Sequence, residues 1–169
     1  MSKNGHNALP VNSQGSGRLV EKLYEDQQYI VFNKPAGLLV IPTPKNERTT
    51  LVNIVNQQYA SENTAWKLHP CHRIDRETSG LIIFAKGKQY QKLMMDVFKQ
   101  RLVTKKYIAF VHGRMPSERG VFRSPIEDPY RRNLKKKISA PLAITYYKVL
   151  KVNRLYSIVE VQPVTGRTN

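Results

Sequence analysis

The sequence predicts an α+β fold, and three observations carry that expectation. Apolar runs of strand length recur along the chain, with YIVF at 29–32, LLVI at 38–41 and LIIFA at 81–85. Two longer segments show helical spacing between such runs. Strands and helices are interspersed without any internal repeat, which is the pattern of a layered sheet-and-helix domain.

Residues 1–18 are rich in Gly, Ser and Asn with almost no large apolar side chain, so they read as a disordered tail, with structure beginning near Leu19. Tyr29 to Phe32 reads as a strand. Lys34-Pro35-Ala36-Gly37 suits a tight turn, proline pre-setting φ and glycine closing it, and Leu38 to Ile41 resumes as a strand. In TTLVNIVNQQYA the apolar residues at 51, 54, 55 and 59 share a helical face behind a Thr cap.

Residues 67–80 read as a loop and Leu81 to Ala85 as a buried strand. KQYQKLMMDVFKQRL places Tyr90, Leu93, Met94, Val97 and Phe98 on one helical face, expected to be core. Lys106 to His112 reads as a strand, and 113–138 as a basic, loop-rich stretch with RR at 131–132 and KKK at 135–137. Residues 143–152 and 155–161 read as a hairpin across Asn153-Arg154. A strand followed by Thr-Gly-Arg-Thr looks like a chain entering its next element, so the sequence is expected to be a piece of a longer protein.

The 169 residues, 40% hydrophobic, suffice for one domain with a real core. No apolar run approaches the roughly 18–20 residues that span a bilayer, and none at the start has signal-peptide length. The single cysteine, Cys71, allows no internal disulfide, which suits a reducing cytoplasm. The 28 Lys and Arg against 12 Asp and Glu give a formal charge of +16. Residues 99–169 hold 16 basic and four acidic side chains, so the excess is concentrated there. Such self-repulsion calls for a polyanion, and nucleic acid fits better than a membrane surface because no basic amphipathic helix appears.

The chemistry concentrates in His72 to Lys86, HRIDRETSGLIIFAK, where five ionisable side chains precede a buried run. His69, Cys71, His72 and Asp75 crowd together without the second ligand pair that structural zinc uses, so no metal is expected. Ser79, His72 and Asp75 share one loop without a nucleophile elbow, and no glycine-rich loop suits a phosphate. An isolated loop aspartate is ordinarily a cap or a surface charge. Between Arg73 and Arg76, however, Asp75 would stay ionised even when partly desolvated, as a nucleophile or general base requires.

HRIDRETSGLIIFAK resembles the signature of the RluA-type pseudouridine synthases, HRLDxxTSGLLLFAK. Three further stretches agree with that family in order and spacing: YEDQQYIVFNKPAGLLVIP, KKYIAFVHG and VQPVTGRTN, the last resembling the start of TGRTHQIR. The resemblance covers about residues 20–169. It implies a mixed, largely antiparallel sheet with flanking helices, residues 19–169 being the N-terminal part of the catalytic domain and the C-terminal part lacking. It implies isomerisation of a specific uridine in structured ribosomal or transfer RNA without a cofactor; a monomer in the cytoplasm is expected. Asp75 aligns with the aspartate that attacks the uridine, at C1′ of the sugar or C6 of the base. Tyr107 aligns with the tyrosine packed on the flipped base, Arg167 with the arginine that pairs with the aspartate, and Arg73 with one that enters the vacated stack. Arg76, Thr78 and Lys34 are further candidates for substrate contact. Asn169 stands where the family more often has histidine. A non-catalytic RNA-binding relative, or a simple polyanion binder, would explain the charge without the chemistry.

Overall fold

A computed structural model describes residues 19–45, 47–60, 66–125 and 142–165. Ten elements follow in order: β1 (Lys22–Glu25), β2 (Tyr29–Lys34), α1 (Leu51–Gln58), β3 (Leu68–Pro70), β4 (Gly80–Lys86), α2 (Lys88–Lys99), β5 (Tyr107–His112), β6 (Arg119–Pro125), β7 (Leu142–Val152) and β8 (Tyr156–Pro163). The fold is α+β, as the sequence predicts. Two four-stranded sheets form, in the orders β1-β2-β4-β3 and β5-β8-β7-β6, and every strand pair in them is antiparallel. The chain divides into two compact units, Met1–Asp96 and Val97–Asn169. The predicted tail at 1–18 and the basic run at 131–137 lie outside the described residues. Among the described residues no helix is long and apolar enough to cross a membrane.

In the first unit β2 sends Ile30, Phe32 and Lys34 to one face, and all three are buried. The register sets Ile30 opposite Phe84, Phe32 opposite Ile82 and Lys34 opposite Gly80. Leu51 and Val55 of α1, with Tyr59 just beyond it, close over that face together with Val20, Leu38, Val40 and Leu68. Phe32 meets Phe84 and Tyr59 edge-on, with ring centroids 5.5 and 6.1 Å apart. Each large side chain buried this way stabilises the unit by roughly 1.5–3 kcal/mol.

Leu38 to Ile41 is not a strand, contrary to the sequence reading. Only an isolated parallel bridge joins Leu39 to Thr50. The carbonyls of Leu39 and Val40 instead accept the Leu51 and Val52 N–H groups, at 2.8 and 3.0 Å. They thus satisfy donors that α1 leaves open at its start. Thr50 is the N-cap, but its hydroxyl makes no capping bond and is buried without a hydrogen-bond partner, the backbone of 39–40 having taken its place. The 67–80 stretch, predicted as loop, contains β3, and β1 forms where the sequence predicts no strand.

The helix at 88–99 forms as predicted, but its apolar face is not core. No residue of α2 is buried, and Leu93 is 58% exposed. Tyr90, Met94, Val97 and Phe98 of that face are half-buried. The contacts α2 makes in the first unit are near its start, where the Tyr29 hydroxyl donates to the Tyr90 carbonyl (3.2 Å) and the Gln91 amide to the Pro70 carbonyl (2.8 Å).

In the second unit the predicted hairpin forms as β7 and β8. The Asn153 side chain closes its turn by accepting the Leu155 and Tyr156 N–H groups. Leu150 interrupts the pairing as a bulge between Val149 and Lys151. Within the stretch predicted as loop, β6 pairs with β7.

Candidate active site

The segment that carries Asp75 runs from Cys71 to Ser79 between β3 and β4. Its backbone is fixed on both sides of the aspartate. On the leading side the Cys71 N–H donates to the Ile83 carbonyl (2.9 Å), the Ile83 N–H donates to Nε2 of His72 (3.1 Å), and Ile74 packs on the core. On the trailing side the Thr78 N–H closes a turn onto the Asp75 carbonyl (3.1 Å), and the Arg76 carbonyl accepts the Gly37 N–H (2.9 Å). Gly80, at φ +132°, then brings the chain into β4 in a conformation that side chains rarely adopt.

Lys34 is the hub of the trailing side. Its ammonium is fully buried and donates to three carbonyls, Leu38 at 2.7 Å, Pro35 at 3.0 Å and Arg76 at 3.0 Å. Three donors meet three acceptors, which is what a buried ammonium needs. Burial pushes its pKa below the usual lysine range, while the negative charges of Glu77 and Asp75 pull it back up. The turn at Ala36-Gly37, with Gly37 at φ +79°, bends the chain so that these carbonyls face inward. Lys34 is therefore neither a solvated turn residue nor presented to an RNA surface. It joins the 34–38 turn to the Asp75 loop.

Asp75 itself is exposed, as are Arg73 and Arg76, while Thr78 is half-buried. The expected desolvated carboxylate between two arginines is not what this chain shows. The Arg76 guanidinium lies 3.3 Å from the Gly37 carbonyl and 3.6 Å from the Glu77 carboxylate, and among the described residues no ion pair involves Asp75. The reason is local: with its carbonyl bound to Lys34 and Gly37, the Arg76 backbone is fixed, and its side chain lies along the 37 turn. After Glu77, Asp75 is the second negative charge that pulls the Lys34 pKa back up against its burial.

The structure brings Lys34, Asp75, Arg76 and Thr78 together in the first unit, with Arg73 on the same loop. Tyr107 opens β5 in the second unit, half-buried and paired with Val161. Arg167 lies outside the described residues. Among the described residues no cluster of three or more His, Cys, Asp or Glu could hold a metal. Burial pushes the Cys71 thiol up to about 12, which disfavours the thiolate a metal would need. Two supports carry no signal in the sequence, the Gly37 amide and the His72 ring, because each meets a main-chain partner that only folding brings near.

A carboxylate displayed on a rigid, anchored loop can act as a nucleophile or base toward a group delivered from outside. A family model described as RNA pseudouridylate synthase matches residues 28–169. The chain is 38% identical over 152 residues to the ribosomal large subunit pseudouridine synthase C of Rickettsia typhi, covering 86% of this chain and 48% of that protein. It is 29% identical over 151 residues to an uncharacterized RNA pseudouridine synthase of Bacillus subtilis, covering 87% of this chain and 50% of that one. Among solved structures, human RNA pseudouridylate synthase domain containing 4 superposes with a TM-score of 0.69 at 29% identity, covering 87% of this chain and 60% of the human one. The chain spans about half the length of the curated relatives it matches.

Proposed function

The chain belongs to the RNA pseudouridylate synthase family, and from that membership we propose that the protein isomerises a uridine in structured RNA without a cofactor. The observation that carries the proposal is the Asp75 carboxylate, exposed on a loop whose backbone is tied down on both sides. Exposure suits a group that must reach a nucleotide taken out of its stack, an extrusion that costs roughly a few kcal/mol.

Asp75 attacks the uridine, and the bond from N1 to the sugar C1′ breaks. The base turns and C5 bonds to C1′, the bond to Asp75 breaks to release the carboxylate, the proton on C5 leaves to solvent and N1 takes one up. Arg73, exposed on the same loop, fills the vacated stack. Tyr107 packs on the flipped base and Arg167 pairs with the aspartate. Arg76 and Thr78 line the approach, and Lys34 holds the loop without touching RNA. The formal charge of +16 neutralises phosphates, so affinity falls as salt rises. The similarity to a ribosomal large subunit pseudouridine synthase of Rickettsia favours large-subunit ribosomal RNA as substrate over transfer RNA. The protein works as a monomer in the cytoplasm.

The test uses full-length protein and RNA tritiated at uridine C5. Tritium is released from ribosomal RNA, and Asp75→Asn stops the release while RNA binding survives. Unchanged release by that variant would remove Asp75 from its role. Binding without release by the wild type would leave an RNA-binding relative rather than an enzyme.

A further inference from the structure

β3 leaves the sheet half a step early. In an antiparallel hydrogen-bonded pair the two residues exchange both N–H to carbonyl bonds. At Cys71 and Ile83 one of them is made, Cys71 N–H to Ile83 carbonyl at 2.9 Å. The return donor, Ile83 N–H, goes instead to Nε2 of His72 at 3.1 Å. The imidazole stands where the Cys71 carbonyl would stand, and the backbone is released to turn into the loop that reaches Asp75 three residues later.

We infer that His72 is a positioning residue, its neutral ring serving as a surrogate carbonyl that fixes where the Asp75 loop departs from β4. This rests on the uridine-isomerase reading for its consequence but not for its geometry. The acceptor must be a lone pair on Nε2, so the ring proton sits on Nδ1. An imidazolium carries two N–H groups and no acceptor, and could not take this part. Half-buried His72 and half-buried Ile83 leave the Ile83 N–H little alternative in water. Lys34 anchors the trailing side of Asp75, whereas His72 anchors the leading side, where the chain leaves the ladder.

The inference separates two substitutions. Glutamine carries a carbonyl oxygen at nearly the reach of Nε2 and keeps the acceptor. Leucine fills similar space with no acceptor. In full-length protein His72→Gln keeps tritium release within a few-fold, while His72→Leu loses about 10²-fold, the scale of a misplaced reacting group. Exchange of the Ile83 amide with deuterium reads the geometry directly. It is slow in wild type and His72→Gln and fast in His72→Leu. Nitrogen-15 spectra of the wild-type ring show Nε2 as the unprotonated nitrogen.

Equal Ile83 protection in wild type and His72→Leu, or a protonated Nε2, overturns the inference. So does His72→Gln behaving like His72→Leu. If His72→Leu does not fold, the wild-type nitrogen spectrum and Ile83 protection in His72→Gln decide. A wild type that releases no tritium while Ile83 exchange follows the acceptor would sink the catalytic reading and leave the positioning role standing.

Discussion

The ammonium of Lys34 donates to the carbonyl of Arg76, 42 residues away in sequence, at 3.0 Å. One buried side chain thereby joins the turn after β2 to the residue beside Asp75. Lys34→Met keeps most of the stem but removes all three donors, leaving the Pro35, Leu38 and Arg76 carbonyls short of partners. The expected loss is on the order of 2 kcal/mol of stability in urea titration. Hydrogen exchange through residues 75–79 should quicken in step. A variant as stable as wild type, with the loop still protected, would show that these bonds are dispensable.

The same lysine sets the sign of a pH effect. Desolvation lowers its pKa in the folded state below the ordinary 10.5, so the unfolded chain holds that proton more tightly. Unfolding then takes up protons, and stability from this group rises with pH through the window between the lowered value and 10.5. Below that window this pH-linked increment is absent, while the three hydrogen bonds of the charged form remain. The difference in unfolding free energy between wild type and Lys34→Met should therefore grow as pH is raised toward 10.5, and a flat difference would contradict the buried charge.

Asn56 provides a second long-range tie. Its side-chain amide donates to the Leu68 carbonyl and accepts the Leu68 N–H, both at 2.9 Å, joining α1 to β3. Asn56→Leu retains volume and strands both backbone groups of a buried residue. The expected cost is about 1–3 kcal/mol, measured by thermal or urea unfolding.

These ties also explain how far the sequence could be read. Strands β2 and β4 were legible because their apolar runs are buried, and the helix over 51–58 because residues 51, 55 and 59 face one core. The 38–41 run is as apolar as those strands, yet its carbonyls cap α1, a use of the backbone that side chains do not announce. β1 and β6 escaped notice because each is a sheet-edge strand with mostly exposed residues and no buried run. The face of α2 was legible, but not that its residues stop short of full burial. At the site, the loop and its aspartate stood out in the motif. The anchoring by Lys34, Gly37 and His72 did not, because each works through main-chain atoms brought near by folding.

In the second unit Gly120 lies opposite Tyr147, and a Cβ added there would come within 2.5 Å of the ring. The ring cannot step aside easily. Its hydroxyl is 2.9 Å from the Ser117 hydroxyl, and Phe122 stacks on it with centroids 4.9 Å apart. Gly120→Ala is expected to destabilise the second unit by about 1–3 kcal/mol, as overpacking does. The companion Tyr147→Leu opens the space and should make the alanine nearly harmless. Additive losses in the double variant would mean that the clash is not the cause.

Cys71 offers a probe of the first unit that needs no activity. It is buried at the end of β3, and burial raises its thiol to about 12. Only the thiolate reacts with alkylating reagents, and the ordinary thiol value is near 8.5. Native protein at mildly alkaline pH should therefore resist iodoacetamide, while urea-unfolded chain is alkylated readily. The sequence contains one cysteine, so in this chain the modification reports on a single place. Because the Cys71 N–H is bonded to Ile83, opening of this strand end exposes the sulfur and frees the start of the Asp75 loop together. Lys34→Met, which loosens the far side of the loop, should leave alkylation under native conditions slow if the two anchors are independent. Matched acceleration of alkylation and of exchange at 75–79 would instead make the loop one cooperative unit held from both ends.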